Sequence, residues 1–190
     1  MIKKVFRKGI SLIKLLRQSF NSLSLKVWIL LGNDGVSIGN YFTASGDLLV
    51  SCTDNGTILI GERCVFSDGC SLICRGGAIV IGDDVHFGKG VVLSCMHEIS
   101  IGSNALIAEY VVIRDQNHSV ETRPIRAAGF DTCPVFIGDD VWLGAKASVI
   151  KGGAIGAGSV IGAHSLVRSN IPSNAIAVGV PAKVVKYLRG

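Results

Sequence analysis

The stretch "RDQNHS", Arg114 to Ser119, carries side chains suited to moving a proton. The imidazole of His118 can take a proton from a hydroxyl near neutral pH, and general-base help of this kind accelerates a reaction by about 10²- to 10⁴-fold. Asp115 and Asn117 stand close enough to orient the imidazole or to hold a second reactant. Two plainer interpretations stay open: Asp115 caps a turn of the chain, and His118 is a lone surface histidine.

A polar stretch, "SVETRPIRAAGFDTCPVF" (residues 119–136), follows His118 and interrupts a sequence that is otherwise aliphatic and rich in glycine. This stretch is too polar, and too rich in Pro and Gly, for a protein interior. Long loops without secondary structure inside a compact domain are usually functional. We therefore expect an excursion loop over 119–136, with His118 at its root.

The elements that carry these residues follow a repeat of six. The run "IGDDVW LGAKAS VIKGGA IGAGSV IGAHSL", Ile137 to Leu166, shows it without slippage. Earlier instances start at Ile60, Ile81 and Ile101, spaced by 21 and 20 residues, so three units and a bulge make one coil. Each unit supplies one inward aliphatic residue, and no apolar period of 3.6 is present in the repeat region. The repeat predicts an all-β chain wound as a three-sided parallel β-helix.

Both ends of the chain differ from this body. Residues 2–20 predict an amphipathic helix that caps the first coil, packs on a neighbouring subunit, or docks on an anionic membrane surface. We divide the chain into an N-terminal helix and cap (1–35), the β-helix with its loop (36–170), and a C-terminal strand or loop with a short helix (171–190).

Composition sets the class of protein and of partner. The formal net charge is +5 with a pI near 9.0, which favours anionic partners such as nucleic acid, an acidic membrane surface or a phosphorylated ligand. The six cysteines form no CxxC pair and mostly occupy apolar repeat positions, as expected of reduced thiols in a cytosolic protein. Because no apolar run reaches about 18 residues and no signal peptide is found, we expect a cytoplasmic protein, free or held at the inner face of the membrane.

Three motifs occur in a diagnostic order: "RDQNHS", "RPIRAAG" and "IGDDVWLGA". The run "VIKGGAIGAGSVIGAHSLVRSNIPSNAIAVGVPAKVV" follows them, Val149 to Val185. In these motifs the chain resembles the hexapeptide-repeat acetyltransferases over roughly Val36 to Lys186. The nearest group is that of sugar O-acetyltransferases of the maltose, galactoside and surface-polysaccharide type. The resemblance implies a left-handed parallel β-helix, a homotrimer, and active sites in clefts between subunits.

The resemblance also implies an activity and its residues. An acetyl group would pass directly from acetyl-CoA to a sugar hydroxyl, with His118 as general base and no metal. Trp142 would flank the pantetheine arm, small residues would let that arm lie along the prism, and basic residues would meet the phosphates of coenzyme A. Plainer interpretations are subunit packing for Trp142 and solvated charges for the lysines. The implied cofactor-binding set is Trp142, Gly144, Ala145, Ala163, Arg168, Lys183 and Lys186.

Acceptor recognition is where the chain departs from its resemblance. The stretch "FGKGVVL", Phe87 to Leu93, lacks the acceptor-binding asparagines of the galactoside and maltose enzymes, so a simple galactoside is less expected. A first alternative is N-acetylation of an amino-sugar nucleotide, although residues 1–35 are too short for the usual nucleotide-binding domain. The other alternative functions are a non-catalytic scaffold and a carbonic-anhydrase-like metal enzyme. Nucleic acid is not an expected partner. The metal enzyme would need three of the four histidines, His86, His97, His118 and His164.

Overall fold

A computed structural model describes residues 35–189 as a solenoid of stacked coils with three faces, A, B and C. In each coil the chain passes from face A to B to C, and the solenoid strands of neighbouring coils pair in parallel. Face A comprises β1 (Val36–Ile38), β4 (Thr57–Ile60), β7 (Ala78–Ile81), β10 (Glu98–Ile101), β15 (Val135–Ile137), β18 (Ala154–Ile155) and β21 (Asn170–Ile171). Face B comprises β2 (Thr43–Ser45), β5 (Val65–Ser67), β8 (His86–Phe87), β11 (Leu106–Ile107), β16 (Trp142–Leu143), β19 (Val160–Ile161), β22 (Ala175–Gly179) and β23 (Ala182–Tyr187). Face C comprises β3 (Leu48–Thr53), β6 (Cys70–Arg75), β9 (Val92–Cys95), β12 (Val112–Arg114), β17 (Ser148–Val149) and β20 (Leu166–Val167).

The core is a set of columns in which one buried residue of each strand stacks on its partner a coil away. On face A, Ile58 pairs in register with Ile79 and Ile79 with Ile99, and all three are fully buried. On face B, the rings of Phe66 and Phe87 stack at 4.3 Å. The period of six produces these columns because it returns an aliphatic side chain to the same face in every coil. The all-β, three-faced solenoid that the repeat predicts is confirmed, and it matches a left-handed parallel β-helix.

The repeated "IGDD" motif forms corners between faces A and B, and its two aspartates serve the backbone there. Asp84 and Asp140 adopt positive φ angles of 56° and 54°, in the left-handed region that Asp and Asn tolerate better than most residues. The preceding aspartates cap backbone N–H groups of the coil before: the N–H of Glu62 donates to Asp83 Oδ1 at 2.8 Å. The N–H of Ser103 donates to Asp139 Oδ1 at 2.7 Å. Polar corner residues therefore hold the coils in register.

The regular winding is interrupted once between residues 35 and 189, at the corner from face C to face A. Ile99 pairs with Val135 across 36 residues, which is one coil of 18 plus an excursion of 18. The excursion contains an antiparallel hairpin of β13 (Gln116–His118) and β14 (Phe130–Thr132), joined through a short 3₁₀ helix, Ile125–Ala127. The predicted loop, 119–136, is thus placed at this corner, with the hairpin starting at Gln116 and face A resuming at Val135.

The C-terminal helix that we predicted is wrong. Residues Ala182–Tyr187 form β23, which runs antiparallel to β22 and ends the sheet of face B. An extended strand is the better local structure because β22 offers an unpaired edge and Val184 and Val185 are β-branched. The predicted helix at 2–20 lies outside the described residues. Within residues 35–189, no helix has the length and hydropathy to cross a bilayer.

Candidate active site

His118 is presented to solvent by the hairpin at the C–A corner. Its side chain is exposed, and its ring lies against that of Phe130, with centroids 4.4 Å apart and planes inclined by 34°. The contact arises because His118 and Phe130 are opposite one another in the β13–β14 pairing, so their side chains leave the same face of the hairpin. The sequence offered no signal for Phe130, since the antiparallel register had to be known first.

Asp115 is fully buried at the base of the hairpin, and its carboxylate serves the coil corner. It accepts the N–H of Met96 at 2.9 Å, the N–H of His97 at 2.7 Å, and the thiol of Cys95 at 3.2 Å. Burial and the neighbouring Asp115 carboxylate raise the pKa of the Cys95 thiol. The geometry is that of the cap considered above, because each of these contacts is made to the preceding coil.

Asn117 and His118 leave opposite faces of the hairpin. Asn117 pairs with Asp131, whereas Gln116, His118 and Phe130 belong to the other face by strand alternation. Gln116 is 3% exposed and donates from Nε2 to Ser94 Oγ at 2.7 Å, while its Oε1 is buried without a hydrogen-bond partner in the described structure. Of the three predicted catalytic residues, His118 is the one that presents an exposed side chain beside the aromatic ring.

Trp142 and Lys186 belong to one outward column of face B. Trp142 pairs with Val160, Val160 with Ile176, and Ile176 with Lys186. Trp142 is 52% exposed while its neighbour Leu143 is buried, so the column points away from the core. Three strand spacings of about 4.8 Å separate Trp142 from Lys186 by roughly 14 Å along the prism. Lys183 lies beside this column, opposite Val178.

The three small residues of the predicted set lie together at the B–C corner, next to that column. A Cβ on Gly144 would come within 2.6 Å of the backbone nitrogen of Ala163, and the N–H of His164 donates to the carbonyl of Ala145 at 3.0 Å. Glycine at 144 is therefore required by the stacking of the next coil, whatever else it serves. Arg168 follows β20 and lies at the C–A corner, apart from the other cofactor residues.

One chain does not bring His118 and Trp142 together. The hairpin leaves the prism at the C–A corner, which is the corner that face B does not touch, and its contacts to the prism are with that corner and face C. Trp142, Lys183 and Lys186 point outward from face B. A site that uses both sets of residues needs the hairpin of one chain and face B of another.

Of the four histidines, His97 and His118 lie near C–A corners, and the other two lie elsewhere on the prism. His86 stands on face B, His97 at a C–A corner, His118 on the hairpin and His164 at a B–C corner. Among the described residues no group of three His, Cys, Asp or Glu side chains is placed to hold a metal ion. The arrangement offers proton transfer by one imidazole and anion binding by lysines.

Comparison with known proteins identifies the class of protein that this fold and site define. The chain belongs to the hexapeptide-repeat acetyltransferase family. Lipopolysaccharide biosynthesis protein WbbJ of Escherichia coli, named as a candidate O-acetyl transferase, is 36% identical over 143 residues, covering 70% of this chain and 73% of WbbJ. The probable acetyltransferase Rv3034c of Mycobacterium tuberculosis is 36% identical over 153 residues, covering 80% of this chain. This chain spans 51% of the length of that protein. No family model matches the chain.

Solved structures extend the likeness to the fold. A mutant of AntD, an N-acyltransferase from Bacillus cereus crystallised with dTDP and coenzyme A, aligns with a TM-score of 0.73 over 86% of this chain and 89% of its own, at 22% identity. The hexapeptide-repeat acetyltransferase VCA0836 of Vibrio cholerae, solved with acetyl coenzyme A, aligns with a TM-score of 0.55 at 26% identity. It covers 75% of this chain and 72% of its own. The similarity to AntD, at 22% identity, concerns the fold alone.

Proposed function

We propose that the chain transfers an acetyl group from acetyl-CoA to a sugar hydroxyl, in the assembly of cell-surface polysaccharide or lipopolysaccharide. The main support is the exposed imidazole of His118, held against Phe130 on a hairpin that interrupts an acetyltransferase β-helix. Relatives named as O-acetyl transferases favour a hydroxyl acceptor, and WbbJ favours a lipopolysaccharide sugar.

In the proposed reaction the imidazole of His118 accepts the proton of the sugar hydroxyl while its oxygen attacks the thioester carbonyl. The carbon–sulfur bond then breaks, and the protonated imidazole returns its proton to the departing thiolate. Transfer is direct, so no acyl-enzyme forms. Trp142, Gly144, Ala145 and Ala163 would hold the pantetheine arm. The basic side chains of Lys183 and Lys186 would meet the phosphates from face B, and Arg168 would reach them from the C–A corner of the neighbouring subunit.

We further propose a homotrimer in which the hairpin of one subunit meets face B of the next. The support is the separation of His118 from Trp142 within one chain. A closed ring of such contacts gives each subunit pair one complete site. The reaction would take place in the cytoplasm or at the inner face of the membrane.

The test begins with a screen of purified protein and acetyl-CoA against cell-surface sugars and nucleotide sugars, with products identified by mass spectrometry. Hydroxylamine releases an ester-linked acetyl group and leaves an amide, so N-acetylation would be recognised at once. With the acceptor in hand, His118→Ala should remove transfer, and His97→Ala is the matched control at the same corner. Activity of His118→Ala close to that of the native protein would refute the general-base role.

The cofactor assignment has a separate readout. Lys183→Glu should raise KM for acetyl-CoA by at least about tenfold and lower kcat far less, because the lysine serves binding rather than the reacting atoms. An unchanged KM would refute the assignment. Molar mass by light scattering tests the trimer independently of both variants.

A further inference from the structure

Among the described residues, the C-terminal end of the prism carries basic side chains of which most form no ion pair. Residues 141–190 include six Lys or Arg residues and no Asp or Glu. Lys151 has an ion pair, at 3.9 Å from Asp131 of the hairpin. In the described part of the chain, no ion pair is formed by Arg168, Lys183, Lys186 or Arg189. All four side chains are exposed.

These charges lie at the same end of the solenoid because of where the sheets end. β20, β21 and β23 are the last strands of faces C, A and B, so they border the same end of the solenoid. Arg168 lies between β20 and β21, and Lys183 and Lys186 lie on β23. We call this end of the solenoid, together with the outward side of β23, the terminal face.

The terminal face is also apolar at its rim. Val180 stands at the turn between β22 and β23 and is 72% exposed, and Val185 and Tyr187 on β23 are 61% and 63% exposed. Exposed valine and tyrosine side chains beside unpaired basic groups suit a surface that enters the headgroup region of a bilayer.

From this juxtaposition we infer that the terminal face is a docking surface for an anionic lipid bilayer. Lys and Arg near an anionic membrane surface are each attracted by about 1 kcal/mol, and apolar side chains add burial in the headgroup region. A second copy of the chain fits this face poorly, because a symmetric contact would bring the same uncompensated charges together. Lysines alone could serve to protect the edge strand β23, but that role leaves the exposed Val180 and Tyr187 without an explanation.

Coenzyme A does not account for the whole face. The proposed function uses Arg168, Lys183 and Lys186 for phosphates, which requires none of Val180, Val185, Tyr187 or Arg189. The two roles can therefore be separated by changing residues of the second group. Docking at this end would bring the enzyme to acceptors that are anchored in the membrane.

The experiment is flotation of the full chain with vesicles of equal parts phosphatidylcholine and phosphatidylglycerol, compared with pure phosphatidylcholine. We expect binding to the anionic vesicles, and about tenfold or greater weakening by Val180→Asp and by Arg189→Glu. Arg75→Glu makes the same charge change at an exposed site on an early coil and should bind like the native protein. Acetyl-CoA binding, measured on every variant, should stay unchanged and shows that the variants are folded.

Three outcomes would overturn the inference. Native-like vesicle binding by both terminal-face variants would place the membrane contact elsewhere, for instance in the basic segment 1–34. If Arg189→Glu lost vesicle binding and Val180→Asp kept it, the surface would attract polyanions in general, and competition by heparin would confirm this. Absence of binding to anionic vesicles would refute docking while leaving the acetyl-transfer proposal intact, because that is judged by acetyl-CoA binding and product formation.

Discussion

Asp115 is the residue whose substitution best separates a structural from a catalytic role. Its carboxylate is fully buried and accepts two backbone N–H groups and one thiol, from Met96, His97 and Cys95. A hydrogen bond to a charged group contributes about 1.5–3 kcal/mol, and a buried donor left without a partner costs about 1–3 kcal/mol. Because the native carboxylate is itself desolvated, the net loss is smaller than the sum.

We expect Asp115→Ala to lower the free energy of unfolding by about 4 kcal/mol, because both backbone donors lose their acceptor. Asp115→Asn keeps one acceptor oxygen but turns an amide N–H₂ toward a backbone N–H, and should cost about 2 kcal/mol. The measurement is equilibrium denaturation in urea. The matched control is Asp131→Asn, since that exposed carboxylate has a long ion pair with Lys151 and should cost less than about 0.5 kcal/mol.

Kinetics on the folded fraction completes the test. A corner cap predicts that Asp115→Asn, assayed well below its unfolding midpoint, keeps kcat within about tenfold of the native value. A stability equal to that of the native protein would refute the cap. A loss of kcat of about 100-fold or more in fully folded protein would show instead that the carboxylate acts on the imidazole of His118.

Four further predictions concern other contacts. Phe130→Ala should lower kcat by about three- to tenfold with an unchanged KM for acetyl-CoA, because an aromatic pair of about 0.5–1.5 kcal/mol no longer holds the imidazole. Phe130→Tyr should restore kcat, and equal kcat in all three proteins would show that the ring has no positioning role. Gly144→Ala should cost about 1–3 kcal/mol of stability in urea, since its Cβ would meet backbone of the next coil at 2.6 Å. A neutral result there would mean that the coils separate easily. With a thiol reagent, native protein should show fast reaction at exposed Cys133, absent in Cys133→Ser, and buried Cys64, Cys70, Cys74 and Cys95 should react only on unfolding. Burial raises the pKa of Cys64, Cys70 and Cys95 above the ordinary 9.0, so these thiols ionise more readily in the unfolded chain than in the folded protein. Their contribution to the free energy of unfolding is therefore complete below pH 9 and should fall as the pH rises beyond it. A free energy of unfolding that stays constant above pH 9 would contradict this prediction.

The repeat predicted the prism well because every inward position is decided locally. An aliphatic residue every sixth position can be buried only on a face that recurs with that period, and the buried columns through Ile58 or Phe66 follow. The excursion could be predicted for the same reason, since a polar stretch of 18 residues fits no coil.

The roles of individual polar residues could not be predicted in the same way, because they depend on contacts between residues that are distant in sequence. Asp115 caps donors that lie about one coil earlier in sequence, and Phe130 reaches His118 through an antiparallel pairing inside the loop. The last strand was mistaken for a helix because "AKVVKYLRG" is short and basic, and its partner β22 decides its conformation. Tertiary pairing, rather than propensity, determines these elements.

The division of the candidate site between two sides of the prism leads to a last prediction, made on mixed oligomers. His118→Ala chains would carry an impaired hairpin and an intact face B. Lys183→Glu chains would carry an intact hairpin and an impaired face B. In a closed ring of random composition, a site is complete when an intact hairpin meets an intact face B, which occurs for about one interface in four after equal mixing. Two variants that are each nearly inactive at low acetyl-CoA should therefore recover about a quarter of native activity when refolded together. Mixing without refolding is the control, because it leaves the homo-oligomers intact. No recovery from properly assembled hetero-oligomers would mean that hairpin and face B do not share a site, and the proposed location of acetyl-CoA would have to move to the C–A corner beside His118 and Arg168.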